Sequence, residues 1–349
     1  MTLRYDAESL TTCTTELFAA AGLDAEIAEC VAEILVEADL LGYATHGLQF
    51  VPAYMGALEK SRWTTSGVPE VRTDNGAALV LDANWLPGQW ATVKALEMAR
   101  DRMAVHPVVT VVVHRSHNIS CLATYCRRAA KAGYLTILTT SAPGNAAVAP
   151  AGARQAVYST SPFAAGIPAD PHSILFDTAT SQTTNRMIER TAREGGRLPS
   201  TSLIDADGHP SDDPAAFADG GAILPAGGFE AGHKGFAWAI LVEALTSGLA
   251  GAGRRPGGET PGGNTVFLQL IDPVAFGGGD AFTAETGHFA ELCRSAQPLD
   301  ADAPVRMPGD RAQRMWDEQS VEGVRLHPEI MARMAPLLEK YGIAAPTAR

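Results

Sequence analysis

The residue best suited to proton transfer lies in the segment Ala38–Gly47, near the N-terminus. In this segment Thr45 and His46 follow Gly42, a residue type that commonly ends a helix. Histidine has a pKa close to neutral pH, so His46 is a candidate general acid or base in a cleft. It could equally be an ordinary residue at the start of a helix, and the segment alone does not decide between the two.

A second candidate segment, Phe176–Ser181, places an aspartate at the end of a predicted strand. Asp177 is followed by small residues and by the start of a predicted helix. Backbone N–H groups there have room to meet a phosphate or a ribose. The alternative is that Asp177 only caps the helix.

A third segment combines Leu224–Gly228 with Gly232–Phe236, at the start of a long apolar helix. Glycines at a helix N-terminus beside Lys234 suit a ligand that carries phosphate. The alternative is a tight turn with a solvated lysine.

Several common catalytic motifs are missing. No G-x-G-x-x-G follows a strand, and there is no phosphate-binding G-x-x-x-x-G-K-[ST], H-E-x-x-H or G-x-S-x-G. A Rossmann-type dinucleotide site is therefore not expected. His114 and His117 stand three residues apart, but no carboxylate or thiol nearby completes a set of metal ligands, so no metal site is expected.

The elements that must position these segments follow from the apolar periodicity. Helices are predicted over residues 6–21, 24–41, 89–103, 120–132, 181–193, 234–251, 284–295 and 328–341. A further helix should start at the cap Thr45 and be strained or kinked by Pro52. Strands are predicted over residues 78–81, 108–113, 135–140, 173–177 and 265–271, and a surface loop over 256–263.

Composition excludes several classes of partner. With 27 basic and 39 acidic residues among 349, the net charge of −12 argues against nucleic acid or an anionic membrane surface. No apolar run is long enough to span a bilayer, and the first residues lack the pattern of a signal peptide. Five scattered cysteines indicate reduced thiols, so we expect a cytoplasmic protein.

Taken together and in this order, the three segments resemble the type-2 malate/L-lactate dehydrogenase family. That family has A-D-L-R-G-x-x-S-H-G, then G-T-N-P near G-I-P, D-M-A-T-S, D-G-x-P-T-T-D-P, and L-P-L-G-G before H-K-G-Y-G. The corresponding stretches here are Ala38–Gly47, Ser159–Pro162 before Gly166–Pro168, Asp177–Ser181, Asp207–Pro214 and Leu224–Phe236. The similarity covers nearly the whole chain.

The resemblance implies an α/β (α+β) fold without a Rossmann domain. A helical domain of residues 1–65 and 285–349 should carry His46, with a small α/β domain at 66–117. Residues 118–284 should form an NAD(P)-binding domain with a mostly antiparallel seven-stranded sheet. The resemblance also implies a homodimer, hydride transfer with NADH or NADPH, and a substrate that is a 2-oxo acid or a cyclic imine bearing a carboxylate.

The family's site residues carry over by position. His46 becomes the proton donor, Thr45 takes the place of the family's serine, and Asp177 becomes the aspartate that orients the histidine. The expected cofactor contacts are Thr160, Ser161, Thr178, Ala179, Ser181, His233, Lys234 and Gly235. The cofactor should therefore bind between the Thr160–Ser181 region and the Gly227–Gly235 loop.

Departures from the family pattern fall on the substrate side. Many members have arginine four residues after the histidine, where this chain has Phe50. The family's second histidine is Asn118 here, and His117 precedes it. The chain also carries an insertion at Phe229–Ala231. We expect either that another cation, Arg115 or His117, binds the substrate carboxylate, or that an apolar part of the substrate packs on Phe50.

These observations favour an NAD(P)H-dependent reductase of a 2-oxo acid. A cyclic-imine reductase needs similar machinery, and no residue separates the two. A non-catalytic cofactor-binding relative is a further alternative, because Phe50 and Asn118 replace groups that often hold substrate. A metal-dependent hydrolase is the weakest alternative, because the sequence supplies no ligand set.

Overall fold

A seven-stranded β-sheet runs through the centre of the molecule in the computed structural model, which describes residues 3–255 and 263–349. The described strands are β1 (Arg4–Tyr5), β2 (Glu70–Asp74), β3 (Ala78–Asp82), β4 (Val108–Ser116), β5 (Leu135–Ser141), β6 (Phe163–Ile167), β7 (Ile174–Thr178), β8 (Leu203–Ile204), β9 (Pro210–Ser211), β10 (Ala222–Ile223), β11 (Asn264–Ile271) and β12 (Val324–Arg325).

The order of the large sheet is β2-β3-β4-β11-β5-β6-β7. Its pairings are antiparallel except that between β3 and β4, which is parallel. The expected mostly antiparallel seven-stranded sheet is confirmed. Since β4 pairs with β11 along its length, the boundary expected at residue 117 crosses one continuous sheet.

Helices cover the sheet and form a separate layer beside it. The described α-helices are α1 (Ala7–Ala20), α2 (Ala25–Leu40), α3 (Val51–Glu59), α4 (Gly88–Arg102), α5 (Leu122–Lys131), α6 (Asn185–Arg193), α7 (Pro214–Ala218), α8 (Gly228–Glu243), α9 (Gly279–Arg294), α10 (Asp310–Glu322) and α11 (Pro328–Tyr341). None of the helices in the described part of the chain combines the length and apolar character that crossing a bilayer requires.

The first and last parts of the chain share one apolar core. Side chains of α1 and α2, such as Phe18 and Leu35, pack in the same buried cluster as Met334 and Leu338 of α11. Strand β1 also pairs with β12. This arrangement joins the segments 1–65 and 285–349 into one helical layer, which holds the turn that carries His46.

Several predicted helix starts differ from the structure, and α9 begins at Gly279 rather than near residue 284. Thr45 caps no helix; a 3-10 turn over Leu48–Phe50 comes first, and α3 begins at Val51. Pro52 therefore lies in the first turn of α3, where its missing N–H is not needed, and it causes no kink. The helix predicted from residue 181 begins at Asn185, because Thr184 accepts a hydrogen bond from the Met187 N–H at 3.3 Å.

The helix predicted from residue 234 begins earlier, at Gly228, and is interrupted at Ala231 (φ −128°, ψ 15°). The predicted insertion at Phe229–Ala231 forms this short first turn. Strand β2 and helix α10 were not predicted, since β2 is exposed throughout and α10 buries little of its length. The predicted loop over residues 256–263 lies, apart from Gly263, outside the described residues.

Gly235 allows α8 to pack directly against two other segments of the same chain, those at Thr180 and Ala226. A Cβ at this position would come 2.5 Å from both the N and O atoms of Ala226 and 2.8 Å from the carbonyl oxygen of Thr180. All three atoms belong to backbone, which cannot rotate away. Only glycine fits here without moving α8 away from the Thr180 segment.

We expect Gly235→Ala to lower the free energy of unfolding by about 2 kcal/mol or more, the scale of overpacking a tight site. Gly56→Ala is the matched control, because Gly56 lies inside α3 and a Cβ added there would have no neighbour within 4 Å. That change should be neutral or stabilise the protein by about 0.5–1 kcal/mol. Chemical denaturation measures both, and equal effects would show that the contact at Gly235 does not matter.

Candidate active site

The turn that carries His46 is anchored by the buried carboxyl of Asp39 on α2. Asp39 Oδ2 accepts a hydrogen bond from the Leu48 N–H at 2.7 Å. Gly47 lies so close to the same carboxyl that any side chain would overlap it. Loss of hydration raises the pKa of Asp39 to about 7. The turn is thereby fixed at both of its ends by α2.

The ring of His46 is partly buried and has one polar partner. Its Nδ1 lies 2.9 Å from the Thr45 hydroxyl, which can donate to or accept from the ring. Among the described residues, no hydrogen bond reaches Nε2. Loss of hydration, and then the positive charge of Arg186, lower the pKa of His46 to about 4. The ring is therefore neutral at neutral pH, with Nε2 available to exchange a proton.

Ser120, just before α5, makes a second contact with the backbone of this turn, at His46. Its hydroxyl donates to the carbonyl oxygen of His46. Ser120 has a left-handed backbone (φ 65°), a conformation that non-glycine residues rarely adopt. Such positions are frequent at functional sites, where the surrounding contacts maintain the strain.

Asp177 lies on the far side of this turn but does not bond to His46. Its Oδ2 accepts hydrogen bonds from the N–H groups of Leu122 at 2.8 Å and Ala123 at 3.0 Å. The carboxylate therefore caps the start of α5, where the positive end of the helix dipole favours a negative charge. Within the described residues Asp177 makes no hydrogen bond to His46, so its expected role as the aspartate that orients the histidine has no direct contact behind it in this structure. Asp177 instead supports the turn that contains Ser120.

Phe50 stands beside His46 and is almost fully buried, with 4% of its surface exposed. Its ring meets His46 edge-on, with centroids 5.9 Å apart. Tyr54 stacks on one face at 5.2 Å, and the guanidinium of Arg186 lies 4.8 Å over the ring. With so little of its ring exposed, Phe50 offers little apolar surface in this structure, and the expected packing of an apolar part of the substrate on it stays a prediction.

Asn118 is fixed in one orientation. Its Oδ1 accepts hydrogen bonds from the Tyr54 hydroxyl at 2.8 Å and from the Ser120 N–H at 2.9 Å. Gln89 donates in turn to the Tyr54 hydroxyl at 2.9 Å. The described residues supply no partner for the Asn118 amide nitrogen, so this side chain offers two N–H donors where the family has a histidine.

Neither cation expected to replace the family's arginine is suited to that role. His117 stacks on Trp63 with centroids 4.9 Å apart and lies 3.2 Å from the Arg62 carbonyl oxygen. Loss of hydration lowers the pKa of His117 to about 4, so the ring is neutral. Arg115 donates to Asp82 through two nitrogens, at 2.8 and 2.5 Å. Both expectations are corrected, because these side chains are already used in packing and in an ion pair.

The predicted cofactor segments do lie side by side. The carbonyl oxygen of Thr180 accepts from the Ala226 N–H at 2.8 Å, and Ser181 forms an isolated bridge with Pro225. The carbonyl oxygen of Thr160 accepts from the Thr180 N–H at 3.1 Å. Residues from three distant parts of the chain are thus adjacent at the start of α8.

The individual residues differ in what they offer a ligand. Thr178, His233 and Lys234 are exposed, and no ion pair within residues 3–255 and 263–349 involves Lys234. Ser161 and Ser181 are buried with their hydroxyls bonded internally, to Ser159 and to the Thr183 carbonyl oxygen. Thr160 and Ala179 are partly buried, and Gly235 is buried. The open polar surface is therefore formed by Thr178, His233 and Lys234.

Arg186 is the site residue that sequence analysis missed. It lies in the first turn of α6, and nothing in its local sequence connects it with Phe50 or His46. The sequence predicted a helix in this region, but it did not predict that the helix would bring Arg186 against Phe50. The only signal available was an arginine shortly after the Asp177–Ser181 motif.

One group in the described part of the chain has ligand atoms close enough to share a metal ion. These atoms belong to Asp205, Asp207 and His209 and lie within 4.8 Å of one another. Asp205 Oδ1 already accepts from the N–H groups of Asp207 and His209, at 2.9 and 2.8 Å. The group is that of a largely exposed surface turn, and nothing in it indicates a bound ion.

Known proteins resemble this chain along nearly its whole length. A family model described as malate/L-lactate dehydrogenase matches residues 5–335. The L-lactate dehydrogenase of Cupriavidus necator is 31% identical over 343 residues, which is 95% of this chain and 96% of that protein. The Delta(1)-pyrroline-2-carboxylate/Delta(1)-piperideine-2-carboxylate reductase of Pseudomonas syringae pv. tomato is 32% identical over 305 residues, 84% of each chain.

The fold agrees with that of a solved relative. The malate dehydrogenase from Entamoeba histolytica superposes with a TM-score of 0.92 over 99% of this chain and 100% of that one, at 22% identity. At that identity the likeness concerns the fold. The family model and the sequence relatives go further, because they match along nearly the full length. The chain therefore belongs to the malate/L-lactate dehydrogenase family of oxidoreductases.

Proposed function

We propose that this protein is an NAD(P)-dependent oxidoreductase that interconverts a 2-oxo acid and the corresponding 2-hydroxy acid. The observation that carries the proposal is the environment of His46. Its Nδ1 is held by Thr45 at 2.9 Å, while its Nε2 is left for a reacting oxygen beside a cation. The names of the relatives, which include an L-lactate dehydrogenase, support the same reaction class.

In this reaction His46 exchanges a proton with the substrate oxygen through Nε2. Nδ1 carries a hydrogen both in the protonated ring and in the neutral ring that has lost its Nε2 proton, and the Thr45 hydroxyl can accept that hydrogen in both states. Asn118 offers N–H donors to a carbonyl or carboxylate oxygen, and its own carbonyl oxygen is held in place. Asp177 acts through the backbone of α5 and Ser120, as a positioning residue.

The surface around the start of α8 fits a nicotinamide dinucleotide. Gly235 brings this helix within backbone distance of Thr180, which a Cβ would prevent. Lys234, near the start of α8, suits a pyrophosphate, and Thr178 and His233 are open to a ribose. A bound nicotinamide would supply or take up a hydride. Whether NADH or NADPH is used is a question for direct assay.

A cyclic-imine reductase is the second candidate. The relative at 32% identity is named for pyrroline- and piperideine-2-carboxylate, and such substrates also carry a carboxylate. The same proton donor would serve an imine nitrogen. A panel of 2-oxo acids and cyclic imines, assayed with each cofactor by nicotinamide absorbance, separates these two candidates from a non-catalytic relative, which would turn over none.

We also propose a cytoplasmic homodimer. The five cysteines are free, as expected in a reducing compartment. Helix α8 exposes large apolar side chains, with Trp238 53%, Ile240 55% and Leu241 42% accessible. Exposed apolar patches of this kind commonly mark interfaces between subunits.

Replacing His46 tests the proton donor. His46→Ala should lower kcat at least ~10²-fold, the usual loss for a positioned acid, and leave cofactor affinity nearly unchanged. His209→Ala, an exposed histidine on a surface turn, is the control and should retain activity. Steady-state kinetics and cofactor titration measure both. Lost cofactor binding with unchanged turnover at saturation would mean that His46 is a binding residue.

The low pKa of His46 predicts which direction of the reaction depends on pH. Reduction of the substrate takes up one proton, so the equilibrium constant of the reaction changes tenfold per pH unit. The ratio of kcat/KM for reduction to kcat/KM for oxidation must therefore fall tenfold for each unit that the pH rises. The pH dependence of kcat/KM reports the pKa values of the free enzyme, where the pKa of His46 is about 4. Reduction needs His46 in its protonated form, which is scarce well above that pKa. Between pH 6 and 9 we expect kcat/KM for reduction to fall about tenfold per unit and that for oxidation to stay level. The opposite assignment would contradict a depressed pKa.

The dimer is tested by placing a charge on α8. Trp238→Glu should shift the sedimentation mass from dimer to monomer, because a carboxylate buried in an apolar interface lacks a partner. Val105→Glu is the control, since Val105 is 77% exposed just after α4. A wild-type chain that sediments as a monomer, or a Trp238→Glu variant that remains dimeric, would remove α8 as the interface.

A further inference from the structure

A 2-oxo acid needs a cation for its carboxylate, and the cleft beside His46 contains one that comes from a different part of the chain. Arg186 extends from the first turn of α6 to the ring of Phe50. Phe50 occupies the position where many family members have arginine. The positive charge is thus present in the site, although it does not come from the Leu48–Phe50 turn.

Phe50 holds this arginine as a flat support. The guanidinium carbon lies 4.8 Å from the centre of the ring, within the range of a cation–π contact. The orientation of the ring is fixed, because Phe50 is buried and Tyr54 stacks on it at 5.2 Å with an angle of 10° between the planes. The edge of the same ring meets His46. Phe50 therefore sets the position of Arg186 relative to the proton donor.

The donors of Arg186 are only partly used. Nη1 donates to Glu189 Oε2 at 2.7 Å, and both side chains are partly exposed, at 35% and 47%. An exposed pair of this kind is weak and can exchange partners. Within the described residues, Nε and Nη2 have no hydrogen-bond acceptor. A guanidinium in this state can receive a carboxylate through two parallel N–H bonds.

We infer that Arg186, supported by the ring of Phe50, binds the carboxylate of the substrate and so places the reacting carbonyl beside Nε2 of His46. This inference rests on the proposed function and names the anchor that the function requires.

Binding at Arg186 also explains how a histidine with a low pKa can donate a proton. The charge of Arg186 is one of the two causes that lower the pKa of His46. A carboxylate bound to the guanidinium offsets that charge, which favours the protonated ring. The substrate therefore brings with it part of the stabilisation that the imidazolium needs.

The test compares substitutions on one helix. Arg186→Met should raise KM for the preferred 2-oxo acid about tenfold or more with a smaller change in kcat, and Arg186→Lys should recover part of the loss. Arg193→Met is the matched control, because Arg193 lies on the same helix, is 37% exposed and pairs with Glu329. It should leave KM unchanged. Glu189→Gln removes the competing carboxylate and should lower KM.

The support is tested by a double-mutant cycle. Phe50→Leu should raise KM in the wild-type background but have little further effect on KM in the Arg186→Met background, because its role is to position that arginine. Equal effects in both backgrounds would show that Phe50 acts only through the stability of α3.

A binding measurement separates failure of this inference from failure of the proposed function. Oxamate, an analogue of pyruvate, should bind the wild-type chain with cofactor present and bind Arg186→Met about tenfold more weakly in calorimetry. Wild-type binding of oxamate without turnover of any substrate would contradict the proposed function alone. Unchanged KM and unchanged oxamate affinity in Arg186→Met would overturn the role of Arg186.

Discussion

The contact between the Asp39 carboxyl and the Leu48 N–H is the interaction on which the site depends. Asp39 is buried, and its second oxygen has no partner among the described residues, so the contact is maintained at a cost. That cost is visible in its pKa of about 7. In return, the turn from α2 is fixed in one conformation. His46, Thr45 and the start of the Phe50 segment take their positions from that turn.

Much of the fold was predictable because local patterns determined it. The cap at Asp6, five of the seven strands of the sheet and the helix α11 follow from residue type and periodicity alone. The order of the sheet did not follow from periodicity, and came from the resemblance to a family. Helix starts were misplaced where a second capping residue, such as Thr184, competed with the predicted one. Strand β2 has no buried face, so it left no pattern to detect.

The site was predictable in its parts but not in its contacts. The adjacency of the Thr180 and Ala226 segments was anticipated and is seen in the structure, whereas the hydrogen-bond partners of Asp177 were not anticipated. A carboxylate beside a helix start bonds backbone N–H groups when they are nearer than a side chain, and sequence does not give that distance. Arg186 was missed for the same reason, since its contact with Phe50 forms only when α6 packs across the cleft.

The separation of the base and the cation onto different helical segments has an evolutionary consequence. His46 is fixed by α2 and by the turn at Ser120, whereas Arg186 arrives from α6. If Arg186 binds the substrate as proposed, variation in the first turn of α6 alters the charge and reach presented to a substrate and also shifts the pKa of His46, because the charge of Arg186 lowers that pKa. Substrate choice and acid–base chemistry are therefore linked through Arg186, and a new specificity that arises by change in this short helix also changes the pH dependence of the reaction.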